Sequence, residues 1–234
     1  MPNLQERLEG MRPRIILDVA TGAGGGAAWL SSVFGEGVPI VCSDITARGF
    51  NADSFDRGRM IPLVSDVLGL AIGSGSVDLL SVVNSLHHFP DPAAAIREMG
   101  RVSASGGAVL VAEMHREVSS EAQRSHMLLH HWWAASDTLM GVSHGETFRR
   151  SELVELVESL SPSELLVEEQ SSFPGDPHDP RVLERLRKAC DSYIERLSSH
   201  GGADGLIAEG RRLRRRLDEH GFSPAPRVVL LAIM

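Results

Sequence analysis

Apolar runs alternate with longer amphipathic stretches from residue 14 to about residue 170. Arg14-Ile15-Ile16-Leu17-Asp18-Val19 is apolar almost throughout, which predicts a strand buried on both faces rather than a half-exposed one. Residues 39–44, 61–66, 77–84 and 108–113 read as strands two to five, and 164–169 and 227–233 as two more near the C-terminus. Helical patterns separate the early strands. Residues 27–34 follow a glycine cluster at 22–26, Asp91-Pro92 offers a capping side chain and a first-turn proline to a helix over 93–102, and 151–157 carries Leu and Val at helical spacing. Ser105-Gly106-Gly107 reads as the turn into strand five. Buried parallel strands linked by helical crossovers imply a doubly wound, Rossmann-like α/β sheet of seven strands.

Two segments exceed that repeating unit. Residues 116–147 are rich in histidine and tryptophan and predict an inserted helical lid, its helix centred on 125–137. Residues 174–224 hold two helical patterns, 180–198 and 204–220, forming a hairpin over about 176–222 that would cap the site or pair two subunits as a homodimer. With neither repeats nor low-complexity tracts, the expectation is one domain over 1–234.

Charge and composition narrow the partners. The 23 basic and 31 acidic residues give a net charge of −8, which suits a small-molecule substrate and does not suit a nucleic acid. The basic run Arg211 to Arg216 lies among leucines at 206, 213 and 217 and reads as a solvated helix face. Two cysteines, with no CxxC pair, indicate neither a disulfide framework nor a thiolate metal site and fit a reducing compartment. The N-terminus lacks an apolar signal core, and no apolar run approaches the roughly 20 residues of a membrane span. A cytoplasmic protein is expected.

The chemistry-bearing residues gather at the predicted strand ends. Asp18-Val19-Ala20-Thr21-Gly22-Ala23-Gly24 joins strand one to a helix, and such a bend lets a ligand approach backbone amides at a helix start. Asp44 ends strand two, 20 residues after Gly24, a spacing that would let its carboxylate take both hydroxyls of a ribose. Asp66 and Asn84 end strands three and four. A dinucleotide would bring a pyrophosphate to the bend, where Asp18 would repel it. S-adenosylmethionine (SAM) brings a sulfonium and an ammonium, which carboxylates favour. The acids therefore favour SAM over a nicotinamide cofactor, and a nicotinamide-dependent oxidoreductase or a non-catalytic SAM-binding protein are the alternatives.

Taken in order, Asp18 to Gly24, Asp44, Asp66 and Asn84-Ser85-Leu86-His87-His88-Phe89-Pro90-Asp91-Pro92 resemble the motif series of class I SAM-dependent methyltransferases. They are most similar to the branch that includes the ubiquinone/menaquinone C-methyltransferases; Glu98-Met99-Gly100-Arg101-Val102 before Gly106-Gly107 is similar too. The likeness covers roughly residues 14–113. It implies an antiparallel last strand and methyl transfer from SAM to O, N or C of a small organic molecule. By position, Asp18 would belong to the cofactor-binding set, Ala20, Thr21, Gly22 and Gly24 would contact the methionine part, Asp44 the ribose, Ile45 the adenine face, and Asp66 and Val67 the adenine edge, while Asn84 would line the pocket. Ala20 departs from the glycine found in many relatives.

Methyl transfer from a sulfonium is an in-line displacement, so positioning and desolvation can supply much of the catalysis, and a base is needed only where the acceptor must lose a proton. His88 and His115, beside His87 and Glu113, are the strand-end candidates. On a helix at about 100° per residue, His126, His130, Trp133 and Asp137 fall on one stripe, with His144 shortly after. These residues would contact substrate or build the lid. His126, His130, Asp137 and His144 also form a set able to hold a divalent metal for a metal-assisted methyltransferase.

Overall fold

The computed structural model describes residues 3–35, 37–50 and 60–234. Seven strands form one sheet in the order β3-β2-β1-β4-β5-β7-β6. They are β1 (Ile16–Val19), β2 (Ile40–Asp44), β3 (Met60–Val64), β4 (Val77–Val83), β5 (Ser103–Met114), β6 (Glu164–Gln170) and β7 (Arg227–Ile233). β1 to β5 pair in parallel, and β7 runs antiparallel between β5 and β6. The continuous apolar spelling of the central strands follows from their position: β1 is buried at every residue, and β4 and β5 are almost so.

One sheet face packs on α3 (Pro92–Val102) and α5 (Arg150–Glu158) through Ile96, Met99, Leu153 and Val157. The other packs on α1 (Leu4–Gly10) and α2 (Gly25–Phe34) through Leu4, Leu8, Ala27 and Leu30. The start of α3 has its predicted cap, with Asp91 accepting from the Ala94 amide at 2.8 Å and Pro92 in the first turn. The turn expected at 105–107 is instead absorbed into β5 as an irregularity. Ser103 pairs with Val77 and Ala108 with Leu79, and Gly106 takes a left-handed φ of 76° between them.

α4 (Glu121–Leu139), α6 (Pro180–Leu197) and α7 (Asp204–His220) make a third apolar cluster of their own, built on Leu129, Trp132, Leu186, Cys190, Leu213 and Leu217. The two C-terminal helices thus turn their apolar faces to α4. The arginine run on α7 behaves as the charge pattern predicts: Arg212, Arg214 and Arg216 pair with Glu209, Asp191 and Glu121 at the surface. Among the described residues no helix is long and apolar enough to cross a membrane.

Candidate active site

The chain runs outward from β1 to β2 and β3, then returns to β4 beside β1, so strand order reverses between β1 and β4. In an open parallel sheet that reversal leaves a crevice at the carboxyl ends. The residue just beyond each of these strands is strained: Ala20 has φ 52° and Asn84 φ 48°, left-handed conformations rare outside glycine. Ala20 therefore stands where glycine would be unstrained. Gly24, with φ 88°, caps α2 and lets its first amides face the bend.

A cavity of about 650 Å³ opens here, within the usual range of small-molecule sites. Thr21, Gly25, Gly26, Val83 and Asn84 line one side, and Leu4, Leu8, Trp29, Gln170 and Arg227 line the other. The second group was missed by the sequence reading. α1 is short, and its only signals are the Asn3–Glu6 capping box and leucines four apart; Gln170 and Arg227 meet only because β6 and β7 pair.

Of the expected cofactor residues, Thr21 and Asn84 line the cavity, and Gly22 and Gly24 form the bend that leads to its lining residue Gly25. Asp44 reaches the glycine bend, its Oδ2 accepting from the Gly22 amide at 3.0 Å and its Oδ1 from Thr46 at 3.2 Å. Asp66 remains apart at the next strand tip, exposed and accepting from the Leu68 amide at 2.9 Å. Ile45 is 68% exposed and free to cover a ring, whereas the Val67 side chain joins the core and leaves only its backbone to a ligand.

Asp18 corrects an expectation. Its side chain is 1% exposed, accepts from the Ser81 hydroxyl at 2.6 Å and lies directly beneath Gly26. Burial raises its pKa to about 6, against the lowering effect of Ser81, Thr21 and the Ala27 amide. It supports the bend from below, buried under Gly26.

Beyond Asn84, a short 3-10 turn (Leu86–His88) is tied to β5 by Glu113, which is fully buried. Glu113 accepts from the Leu86 amide at 2.8 Å and from His87 Nδ1 at 3.0 Å. Asp137 accepts from His144 Nδ1 at 2.7 Å, and the Nε2 atoms of His144 and His130 are 3.2 Å apart. One ring nitrogen each from His87, His130 and His144 lies within 4.8 Å of the others. His88 is exposed beside them, its ring 4.2 Å from that of His144, with its pKa lowered to about 4 by desolvation and by His87 and His144.

The helical stripe is therefore real but divided. His130 and Asp137 enter the cluster. His126 does not: its Nδ1 accepts from the Ala225 amide at 2.7 Å and its ring packs on Phe222, because α4 also crosses the segment leading into β7. The expected metal set that included His126 and used Asp137 as a ligand is corrected accordingly. Trp133 packs against Tyr193. His115, expected as a base, is 1% exposed and accepts from the Glu117 amide through Nδ1 at 3.3 Å, which removes it from the crevice.

Residues 17–111 match the family described as "Methyltransferase domain". Over 111 residues the chain is 32% identical to tocopherol O-methyltransferase, chloroplastic, of Arabidopsis thaliana, covering 45% of this chain and 32% of that protein. It is 31% identical over 115 residues to demethylmenaquinone methyltransferase of Corynebacterium kroppenstedtii, covering 49% and 48%. The chain thus spans about a third to a half of the length of these curated relatives. Its fold matches that of Haemonchus contortus phosphoethanolamine N-methyltransferase 2, solved with phosphomonomethylethanolamine and S-adenosylhomocysteine, with a TM-score of 0.58 at 17% identity over 97% of this chain and 50% of the other.

Proposed function

We propose that this chain, which carries a methyltransferase domain on the matching seven-stranded α/β fold, transfers the methyl group of SAM to a small organic acceptor. The observation that carries this reading is the meeting of the Asp44 carboxylate with the Gly22 amide, on the same bend whose Thr21 and Gly25 line a cavity of fitting size. That carboxylate sits where ribose hydroxyls could replace its backbone donors. Among the described residues no atom occupies the space where Cβ atoms of Gly22 and Gly25 would lie, so a ligand can approach the backbone there. When bound, SAM supplies the electrophilic methyl group.

The rest falls to the chain's own side chains. Asp44 would fix the ribose, and Ile45, Asp66 and the Val67 backbone the adenine. Thr21 and Asn84 would border the methionine part. The apolar wall of Leu4, Leu8 and Trp29 would exclude water from the reacting centre and orient the acceptor. His88, exposed beside the histidine cluster, would serve as a hydrogen-bonding partner of the acceptor.

The narrower likeness to the quinone-methylating branch rests on the motif series from Asp18 to Gly107 and makes demethylmenaquinone-like compounds the first acceptors to try, followed by tocopherols and phosphoethanolamine derivatives. The test is conversion of SAM to S-adenosylhomocysteine by the purified chain across such a panel. Acceptor-dependent release with a methylated product is expected. Tight cofactor binding with no turnover on any acceptor would contradict catalysis.

A further inference from the structure

We propose that His87, His130 and His144 form a site for a divalent transition-metal ion, with Glu113 and Asp137 orienting two of the imidazoles from behind. This goes beyond methyl transfer and does not depend on it.

The three histidines come from separate places: the turn after β4, the middle of α4 and the loop beyond α4. Only tertiary structure unites them, with one ring nitrogen each within 4.8 Å. The carboxylates determine which nitrogens are available. Glu113 accepts from Nδ1 of His87 and Asp137 from Nδ1 of His144, so each Nδ1 carries the proton and each Nε2 keeps its lone pair. A carboxylate behind a histidine is the usual support of a metal ligand.

Two nitrogens each about 2.0–2.1 Å from a shared tetrahedral ion stand roughly 3.3–3.4 Å apart. The Nε2 separation of His130 and His144 is 3.2 Å, and His87 lies within 4.8 Å of both, so a small approach of its ring completes the set. Without an ion, the same 3.2 Å is a hydrogen bond from one Nε2 to the other, which the metal would replace.

Three histidines leave the fourth position of a tetrahedral ion unfilled by the protein, as in catalytic rather than structural zinc, and imidazole donors also suit iron or nickel. Exposed His88 borders the cluster, and Asn84 of the crevice lies three residues before His87.

The experiment uses the full untagged chain, stripped with a chelator and titrated with Zn(II) and, separately, Co(II). One equivalent of each should bind, with cobalt showing the ligand-field absorption of four- or five-coordinate nitrogen sites. His144→Gln should weaken binding by at least about 100-fold and Asp137→Asn by about 10–100-fold, while His126→Ala leaves it unchanged. S-adenosylhomocysteine should bind the stripped protein as before, so a failure of the metal site is distinguishable from a failure of the methyltransferase reading. Binding of less than one equivalent by the wild type, or equal affinity in His144→Gln, overturns the proposal.

Discussion

Asp18 shows how one buried carboxylate can serve a binding loop without meeting its ligand. Its oxygens take the Ser81 hydroxyl and face the start of α2, and they leave no room for a side chain at Gly26, whose Cβ would come within 3.1 Å. Burial raises its pKa from 3.8 to about 6. The folded state therefore favours the protonated form. The stability this gives is fully present below about pH 4 and is lost as pH rises through about 6, amounting to about 3 kcal/mol at most. Relative to wild type, Asp18→Asn should gain stability as pH goes from 4 to 7.5, measured by urea unfolding at each pH. A difference independent of pH would refute the assignment. From sequence, Asp18 counted among the acids that favour the positive groups of SAM; only the packing of β4 and α2 around it shows that its carboxylate is buried.

At the scale of elements, the strands were legible because burial on both faces writes itself as uninterrupted apolar spelling. The caps of α3 were legible because their chemistry is local. What escaped was α1, whose seven residues carry too little pattern to stand out, and the irregular start of β5, where a turn sequence was drawn into the sheet. The helical layer offers a direct test of its packing. A Cβ on Gly210 of α7 would come within 2.3 Å of the Trp132 ring, whose indole N–H donates to the Leu206 carbonyl at 2.8 Å. Gly210→Ala should therefore cost about 1–3 kcal/mol from overpacking, despite the better helix propensity of alanine. Denaturant unfolding followed by tryptophan fluorescence measures it. A stabilised variant would mean that α7 does not seat against α4 as described.

In the molecule as a whole, the reversal of strand order places two strained residues, Ala20 and Asn84, on either side of one crevice, with Asp44 at its edge. The glycine bend and the acids at successive strand tips were readable from spacing alone, since each lies at the end of its own apolar run. The wall supplied by α1, β6 and β7 was not, because residues far apart in the chain meet only once the sheet closes over them. The histidine stripe was half readable: helical periodicity aligned His126 with His130, but the turn after β4 and the loop at 144 decide which of them joins the cluster.

Calorimetric titration with S-adenosylhomocysteine, and with NAD in parallel, tests the central claim most directly. Wild type should bind S-adenosylhomocysteine and not NAD, and Asp44→Ala should weaken that binding by about 10–150-fold, the worth of charge-assisted hydrogen bonds of about 1.5–3 kcal/mol. Binding of NAD without S-adenosylhomocysteine, or an Asp44→Ala protein that binds as well as wild type, would contradict it.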